Sequence, residues 1–252
     1  MICERELAAM KSRQEIKALA REGMAHQLGT AILILFLYSL IYYAGIVVGN
    51  GIGGIGAAMS MRMFHFSPNV DPLSIVRTWT FLGGLVTSAT FYFIDLPLMV
   101  NMCGTYIKVY TKEETGVDEM FTNFPVNYLR KVGGMSWMWL WVGLWTLLFI
   151  IPGIVKWIAY SMTRFILAQY PNVTATQALK LSMRMTNGYK GRLFVMYLSF
   201  IGWLILSMFT FGILYIVYVG PYMYTTMAGF YVELRDNALA SGTIQQSELE
   251  PA

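Results

Sequence analysis

The chain is dominated by long apolar stretches that recur at regular spacing. The first, Thr30 to Val48, holds no charged residue across 19 positions. About 20 apolar residues span the roughly 30 Å hydrocarbon core of a bilayer as an α-helix. Similar stretches recur at about 80–107, 135–170 and 193–232. This pattern predicts an all-α polytopic membrane protein.

Composition supports this class and excludes others. Hydrophobic residues make up 56% of the chain and charged residues 13%, against about 25% charged residues in soluble domains. The net charge is +4, but the basic residues lie between the apolar segments and form no single basic patch. We therefore expect no binding of nucleic acid. The two cysteines and two histidines have no ligand spacing, so we expect no metal and no cofactor.

The apolar stretches divide into about six transmembrane helices arranged as three hairpins. The predicted helices cover about 28–49, 79–108, 136–151, 154–169, 192–209 and 213–234. A glycine-rich linker is expected after the first helix. Predicted helix breaks lie at Pro97, Pro152, Gly153, Gly220 and Pro221.

The stretch 135–170 is too long for one helix and too short for two ordinary spans. Two halves of about 16 residues, each roughly 24 Å long, predict a hairpin turning at Pro152-Gly153. A single crossing followed by an interfacial helix is the alternative.

An amphipathic helix precedes each hairpin, at 4–27, 117–131 and 174–188. The first lies either on the membrane surface or against the protein itself, because both fit its apolar face. Thr174 and Gln177 have the spacing of a capping box. We predict three regions, which are an N-terminal amphipathic helix (1–27), a single transmembrane domain (28–235) and a disordered tail (236–252).

The distribution of lysine and arginine predicts the orientation. If the N-terminus is cytoplasmic and there are six crossings, fifteen Lys and Arg residues lie inside and three lie outside, at Arg62, Arg77 and Lys156. Positive charge is retained on the cytoplasmic side of membranes. The charge distribution therefore predicts a multi-pass membrane protein with both termini in the cytoplasm.

Asp95 is the most informative single residue. It lies within an apolar helix, two residues before Pro97, where a carboxylate costs several kcal/mol unless it is paired, hydrated or protonated. It therefore marks a candidate intramembrane polar site, together with Asn101 and Arg164. A structural Asp that bonds Asn101 or a tyrosine is the alternative. Lys156 and Arg164 are expected mainly to anchor helix ends.

The sequence motifs that could indicate an enzyme are either incomplete or missing. Gly51, Gly53 and Gly56 spell G-x-G-x-x-G, but no βαβ unit surrounds them, so nucleotide binding is not expected. An aspartyl protease needs two membrane aspartates, and only Asp95 qualifies. No H-E-x-x-H motif is present. We expect no enzymatic activity.

Four segments resemble a known family. They are L-F-I-I-P-G-I-V-K-W-I-A-Y-S-M (148–162), A-L-K-L-S-M-R-M-T-N-G (178–188), L-S-F-I-G-W (198–203) and G-P-Y-M with A-G-F-Y (220–231). Over 147–234 the chain resembles the bacterial integral-membrane family known as domain of unknown function 975. The family pattern often reads Met-Lys-Gly-His-Lys where this chain has 186–190, Thr-Asn-Gly-Tyr-Lys, so no role rests on a histidine there. The resemblance implies a multi-spanning protein with no established reaction.

Two functions remain open on this sequence. The broken helices and Asp95 favour a small transporter or a lipid- or peptide-handling membrane protein, whose partners are membrane lipids. The alternative is a non-catalytic accessory or immunity-type protein that binds another membrane protein through its small residues.

Overall fold

The computed structural model describes residues 10–64 and 71–250, and every regular element in these ranges is helical. This confirms the all-α class. The α-helices are α1 (Arg13–His26), α2 (Leu28–Phe64), α3 (Pro72–Thr90), α4 (Leu96–Thr111), α5 (Asp118–Thr122), α6 (Tyr128–Leu148), α7 (Ile150–Tyr160), α8 (Thr163–Gln169), α9 (Ala175–Met185), α10 (Lys190–Phe209), α11 (Gly220–Ala240) and α12 (Gln246–Leu249). Two π-helical segments, Phe91–Asp95 and Tyr215–Val219, directly precede α4 and α11. Residues 4–9 of the predicted first helix lie outside the described ranges.

Four helical segments are long and apolar enough to cross a membrane. They are Leu28–Met63, Pro72–Thr111, Ile150–Gln169 and Lys190–Phe209. Large apolar side chains on them are exposed, including Val47 at 69%, Phe81 at 66% and Met208 at 78%. Soluble proteins rarely expose this much apolar surface to water. The four segments are therefore typical of a multi-pass membrane protein.

The chain divides into two compact units. One unit is Leu37–Leu96, and the other combines Met1–Phe36 with Pro97–Ala252. The first unit holds most of α2, with α3 and the first π-helical segment. The second holds all the amphipathic helices.

The predicted glycine-rich linker after residue 49 is wrong, because α2 continues without interruption to Phe64. Gly49, Gly53 and Gly56 face α3 at close range, whereas Gly51 and Gly54 have open space around them. A Cβ atom at Gly49 would collide with Thr87 Oγ1, and one at Gly83 would collide with Gly49 O. Glycine is therefore required for the close approach of two helices, as is common in membranes.

The second unit has a buried core built on the amphipathic helices. Ile16, Ala20 and Met24 of α1 are buried, and α1 packs on α11. A Cβ atom at Gly23 would lie only 2.5 Å from Val109 O of α4. The apolar face of α1 thus packs against the protein itself, which was one of the two alternatives. The capping box of Thr174 and Gln177 at the start of α9 is confirmed.

The hairpin of α6 and α7 turns earlier than predicted. The break is at Phe149, whose backbone is extended at φ −156° and ψ 137°, while Pro152 and Gly153 lie inside α7. Proline fits the first turn of a helix because its missing N–H has no partner there in any case. Gly153 packs against Thr146 of α6.

The predicted disordered tail, 236–252, forms structure as far as residue 250. α11 continues to Ala240, and the short helix α12 follows. Ile244 and Leu249 are each 1% exposed, and Arg184 forms a 2.6 Å ion pair with Glu248. These two buried aliphatic side chains and the ion pair dock this polar segment, which its overall polar composition did not indicate.

Candidate functional site

Asp95 ends a π-helical turn. The backbone N–H of Leu96 donates to Phe91 O, five residues back, instead of the four residues of an α-helix. π-helical turns are rare and are frequent at functional sites. Pro97 follows, and it has no N–H to continue the α-helical ladder. The sequence thus places a carboxylate where the helix is locally wider.

The Asp95 side chain is buried and lines a cavity. The residue is 2% exposed, and its Oδ1 atom has no hydrogen-bond partner among the described residues. The cavity has a volume of about 340 Å³. Its lining consists of Tyr42, Gly45, Ile46, Thr87, Ser88, Thr90, Phe91, Tyr92 and Asp95. A buried ionised carboxylate without a partner is costly, so this site favours a proton, a cation or a hydrogen-bonding ligand.

Asn101 belongs to a different polar cluster, in the second unit. Its Nδ2 donates to Met120 O at 2.8 Å, and its Oδ1 accepts from Lys131 Nζ at 2.5 Å. Lys131 Nζ also donates to Asn123 O at 2.6 Å. These bonds join α4, the α5 turn and α6 at one point. Asn101 therefore has specific partners in this cluster, and the predicted alternative of a bond to Asp95 is not observed.

Lys131 is a buried cation at the start of α6. It is 5% exposed, and it precedes the predicted membrane segment 136–151. Burial, and secondarily the neighbouring Arg130 charge, lower its pKa to about 8. Burial also lowers the pKa of Arg130. The site therefore holds two adjacent cations in surroundings that disfavour charge.

The Arg130 side chain caps the C-terminal end of α8. Its guanidinium donates to Leu167 O at 2.6 Å, Tyr170 O at 2.9 Å and Val173 O at 2.6 Å. Carbonyls at a helix C-terminus lack intrahelical partners and carry partial negative charge, so a cation there is favourable. The Nε atom of Arg130 is buried and has no partner among the described residues.

A cavity of about 390 Å³ lies beside this cluster. Its lining mixes polar and apolar residues and includes the ion pair of Lys108 and Glu119, whose Nζ and Oε2 atoms are 2.7 Å apart. Other lining residues are Asn101, Gly104, Thr105, Ile107, Glu113, Asn123, Val126, Asn127, Arg130, Lys131, Leu167, Ala168, Gln169 and Pro171. The volume is within the range of small-molecule sites.

Arg164 lies in α8 and is half-buried. Its guanidinium carbon is 5.3 Å from the centre of the Phe165 ring and 5.9 Å from that of Tyr224. Lys156 lies over the rings of Trp145 and Tyr160. Both residues thus contact aromatic side chains, which suits the anchoring role expected of them.

The predicted breaks at Pro97 and Pro221 have the same local structure. The second π-helical segment ends at Val219, and Gly220 N–H donates to Tyr215 O. Each π-helical segment therefore ends two residues before a proline. The helix continues through both prolines as α4 and α11, so each break is a local widening of a continuous helix.

Of the three predicted polar site residues, Asp95 lies in one unit, and Asn101 and Arg164 lie in the other. The sequence analysis missed Arg130 and Lys131 as site residues. It counted them only as charges of a polar connection. The signal was available, since a basic pair directly precedes Val132-Gly133-Gly134-Met135, where an apolar helix has already begun. Within the described residues, no group of three His, Cys, Asp or Glu side chains is placed to hold a metal ion.

In the comparison with known proteins, a family model matches part of the C-terminal half of the chain. Residues 129–238 match the family model of a protein of unknown function, DUF975. The resemblance over 147–234 is thereby confirmed. The DUF975 region contains Arg130, Lys131 and Arg164, whereas Asp95 and Asn101 lie before it. No curated protein and no solved structure matches the chain.

Proposed function

We propose that this protein is a small transporter, or a lipid- or peptide-handling protein, of the bacterial cytoplasmic membrane, without catalytic activity. The observation that carries the proposal is Asp95, a buried carboxylate with an unpartnered oxygen at the wall of a 340 Å³ cavity. Transport proteins place ionisable groups and broken helices at their binding sites within the membrane.

The proposed topology has six crossings in three hairpins and both termini in the cytoplasm. Four segments that satisfy the length and hydropathy of a span support it. α6, with its tryptophans, and the helix that begins at Ile213 supply the remaining two crossings. In this topology fifteen Lys and Arg residues lie on the cytoplasmic side and three lie outside, which supports the cytoplasmic placement of both termini.

Asp95 would act by exchanging a proton for a ligand. When protonated, its carboxyl group donates a hydrogen bond and is tolerated in an apolar cavity. When ionised, it attracts a cation or an N–H donor of a ligand. Thr87 and Thr90 on the same cavity wall add hydroxyl groups, although each donates to a backbone carbonyl of α3. The substrate class is therefore one with a cationic or hydrogen-bonding group.

Native mass spectrometry of the gently extracted protein tests this proposal. We expect a small molecule that is retained by the wild type and lost from Asp95→Asn. Asp71→Asn is the matched control, because Asp71 is the exposed N-cap of α3 and asparagine caps a helix equally well. Equal retention by both variants and the wild type would contradict the proposal.

An accessory or immunity-type protein is the second candidate function. Gly84 and Gly202 favour it, because both are exposed and have open space around them, as a helix–helix interface requires. In that case a second membrane protein at fixed stoichiometry, with no small ligand, is expected in the same mass spectra.

A further inference from the structure

The cavity beside Lys131 has an unbalanced charge. Three cations line it, and one of them, Lys108, is neutralised by Glu119. Glu113 also lines the cavity, and its carboxylate accepts from Thr111 Oγ1 at 2.8 Å. The ion pairs among the described residues include neither Arg130 nor Lys131. Two neighbouring positive charges thus lack a carboxylate partner in this part of the chain.

Neutral oxygens hold both cations in place. Lys131 donates to an amide and a backbone carbonyl, and Arg130 donates to three backbone carbonyls. These bonds orient the groups but do not compensate their charge. Burying a charge without a counter-ion is expensive, and proteins therefore pair such groups or bind an ion.

Both side chains retain donors for a ligand. An ammonium group has three donors, and Lys131 uses two of them. The Nε–H of Arg130 has no partner. Since both residues line the same cavity, an anion there gains one charge-assisted hydrogen bond from each.

We propose that this cavity binds a phosphate group. A phosphate monoester carries a charge of about −1.5 to −2 near neutral pH, by analogy with phosphoserine, and the phosphodiester of an anionic lipid carries about −1. Either anion offsets positive charge at the two adjacent cations. A cavity of about 390 Å³ also accommodates the small polar group that carries the phosphate. That group is either a soluble phosphoester or the headgroup of an anionic lipid. The site is separate from the Asp95 cavity and does not depend on the function proposed above.

Titration of the purified full-length protein tests this site. The soluble probes are inorganic phosphate and sn-glycerol 3-phosphate, measured by calorimetry in detergent. The lipid probes are nanodiscs of phosphatidylglycerol or phosphatidylcholine, with retained lipid measured by mass spectrometry. The test variant is Lys131→Met. Lys180→Met is the control, because it makes the same change at an exposed position of α9.

We expect saturable binding of a phosphate probe by the wild type and by Lys180→Met. Binding by Lys131→Met should be roughly 10- to 100-fold weaker, because one charge-assisted hydrogen bond is lost. Binding of the soluble probes identifies a phosphoester site, and retention of phosphatidylglycerol alone identifies a lipid headgroup site. Lys131→Gln replaces Lys131→Met if that variant does not fold. Failure of the wild type to bind any of the probes, or equal affinities in the two variants, overturns the proposal.

Discussion

Two buried charged residues define this protein at the scale of single side chains. Lys131 is held by two hydrogen bonds, whereas Asp95 has a carboxylate oxygen with none among the described residues. Removing these two charges by mutation should therefore have different effects on the free energy of unfolding. Loss of Lys131 leaves Asn101 Oδ1 and Asn123 O without a donor, at about 1–3 kcal/mol for each buried acceptor. Loss of the Asp95 charge removes no observed bond.

The lowered pKa of Lys131 predicts a dependence of stability on pH. Its pKa is about 8 in the folded protein against 10.5 as the reference. Between these values the unfolded chain binds more protons, so the free energy of unfolding should increase with pH, by at most about 1.4 kcal/mol per pH unit. Below pH 8 this contribution is constant. Denaturation of the wild type and Lys131→Met from pH 7 to 10 measures the effect.

The difference between the two proteins isolates Lys131 from other groups that titrate in the same range. Burial also raises the pKa of Tyr170, but both proteins share this residue. Identical pH profiles for wild type and variant would show that the Lys131 pKa is not lowered.

At the scale of elements, glycine determines how α2 packs on α3. Gly49 and Gly83 face one another so closely that neither tolerates a Cβ atom, whereas the next residue, Gly84, has open space around it. The adjacent pair of glycines on α3 therefore provides a test and its own control within one helix turn.

We expect Gly83→Ala to lower the free energy of unfolding by about 1–3 kcal/mol, because the added methyl group must separate the two helix backbones. Gly84→Ala should be neutral or should stabilise α3 by about 0.5–1 kcal/mol, since alanine favours a helix. Thermal denaturation in detergent measures both. An equal loss of stability in the two variants would mean that the helices do not meet at Gly83.

The two π-helical segments give the chain an internal similarity. Pro97-Leu-Met and Pro221-Tyr-Met share their first and third residues, and each follows a π-helical segment at the same offset. The buried tyrosines Tyr106 and Tyr231 follow the two prolines at offsets that differ by one residue, and both lie in stacked ring pairs. A shared local structure at matched positions is the pattern that a repeat would leave.

Local features of the fold were predictable from sequence, and long-range ones were not. The capping box at Thr174 depends on residues three positions apart, and it was predicted correctly. The glycines of α2 were misread as a linker because their role appears only when α3 lies opposite. The pair of Asn101 and Lys131 joins residues 30 positions apart. No periodicity in either helix signals such a pair.

At the scale of the whole molecule, the proposed topology predicts which loops face the cell exterior. In a background without Cys3 and Cys103, a cysteine at position 189 should react with a membrane-impermeant maleimide only after the cell membrane is permeabilised. A cysteine at position 211, where Phe211 is 98% exposed between α10 and the second π-helical segment, should react in intact cells. Labelling of position 189 from outside would contradict six crossings.

The central claim is that Asp95 is a buried carboxylate, open to a cavity within the membrane. Dicyclohexylcarbodiimide, an apolar reagent, modifies protonated carboxyl groups in such surroundings, and peptide mass spectrometry locates the adduct. We predict an adduct at Asp95, none at the exposed Asp71, and no adduct in that peptide of Asp95→Asn. An unmodified Asp95 in the folded wild type would contradict the account, because the carboxyl group would then be either ionised and paired or closed off from the cavity.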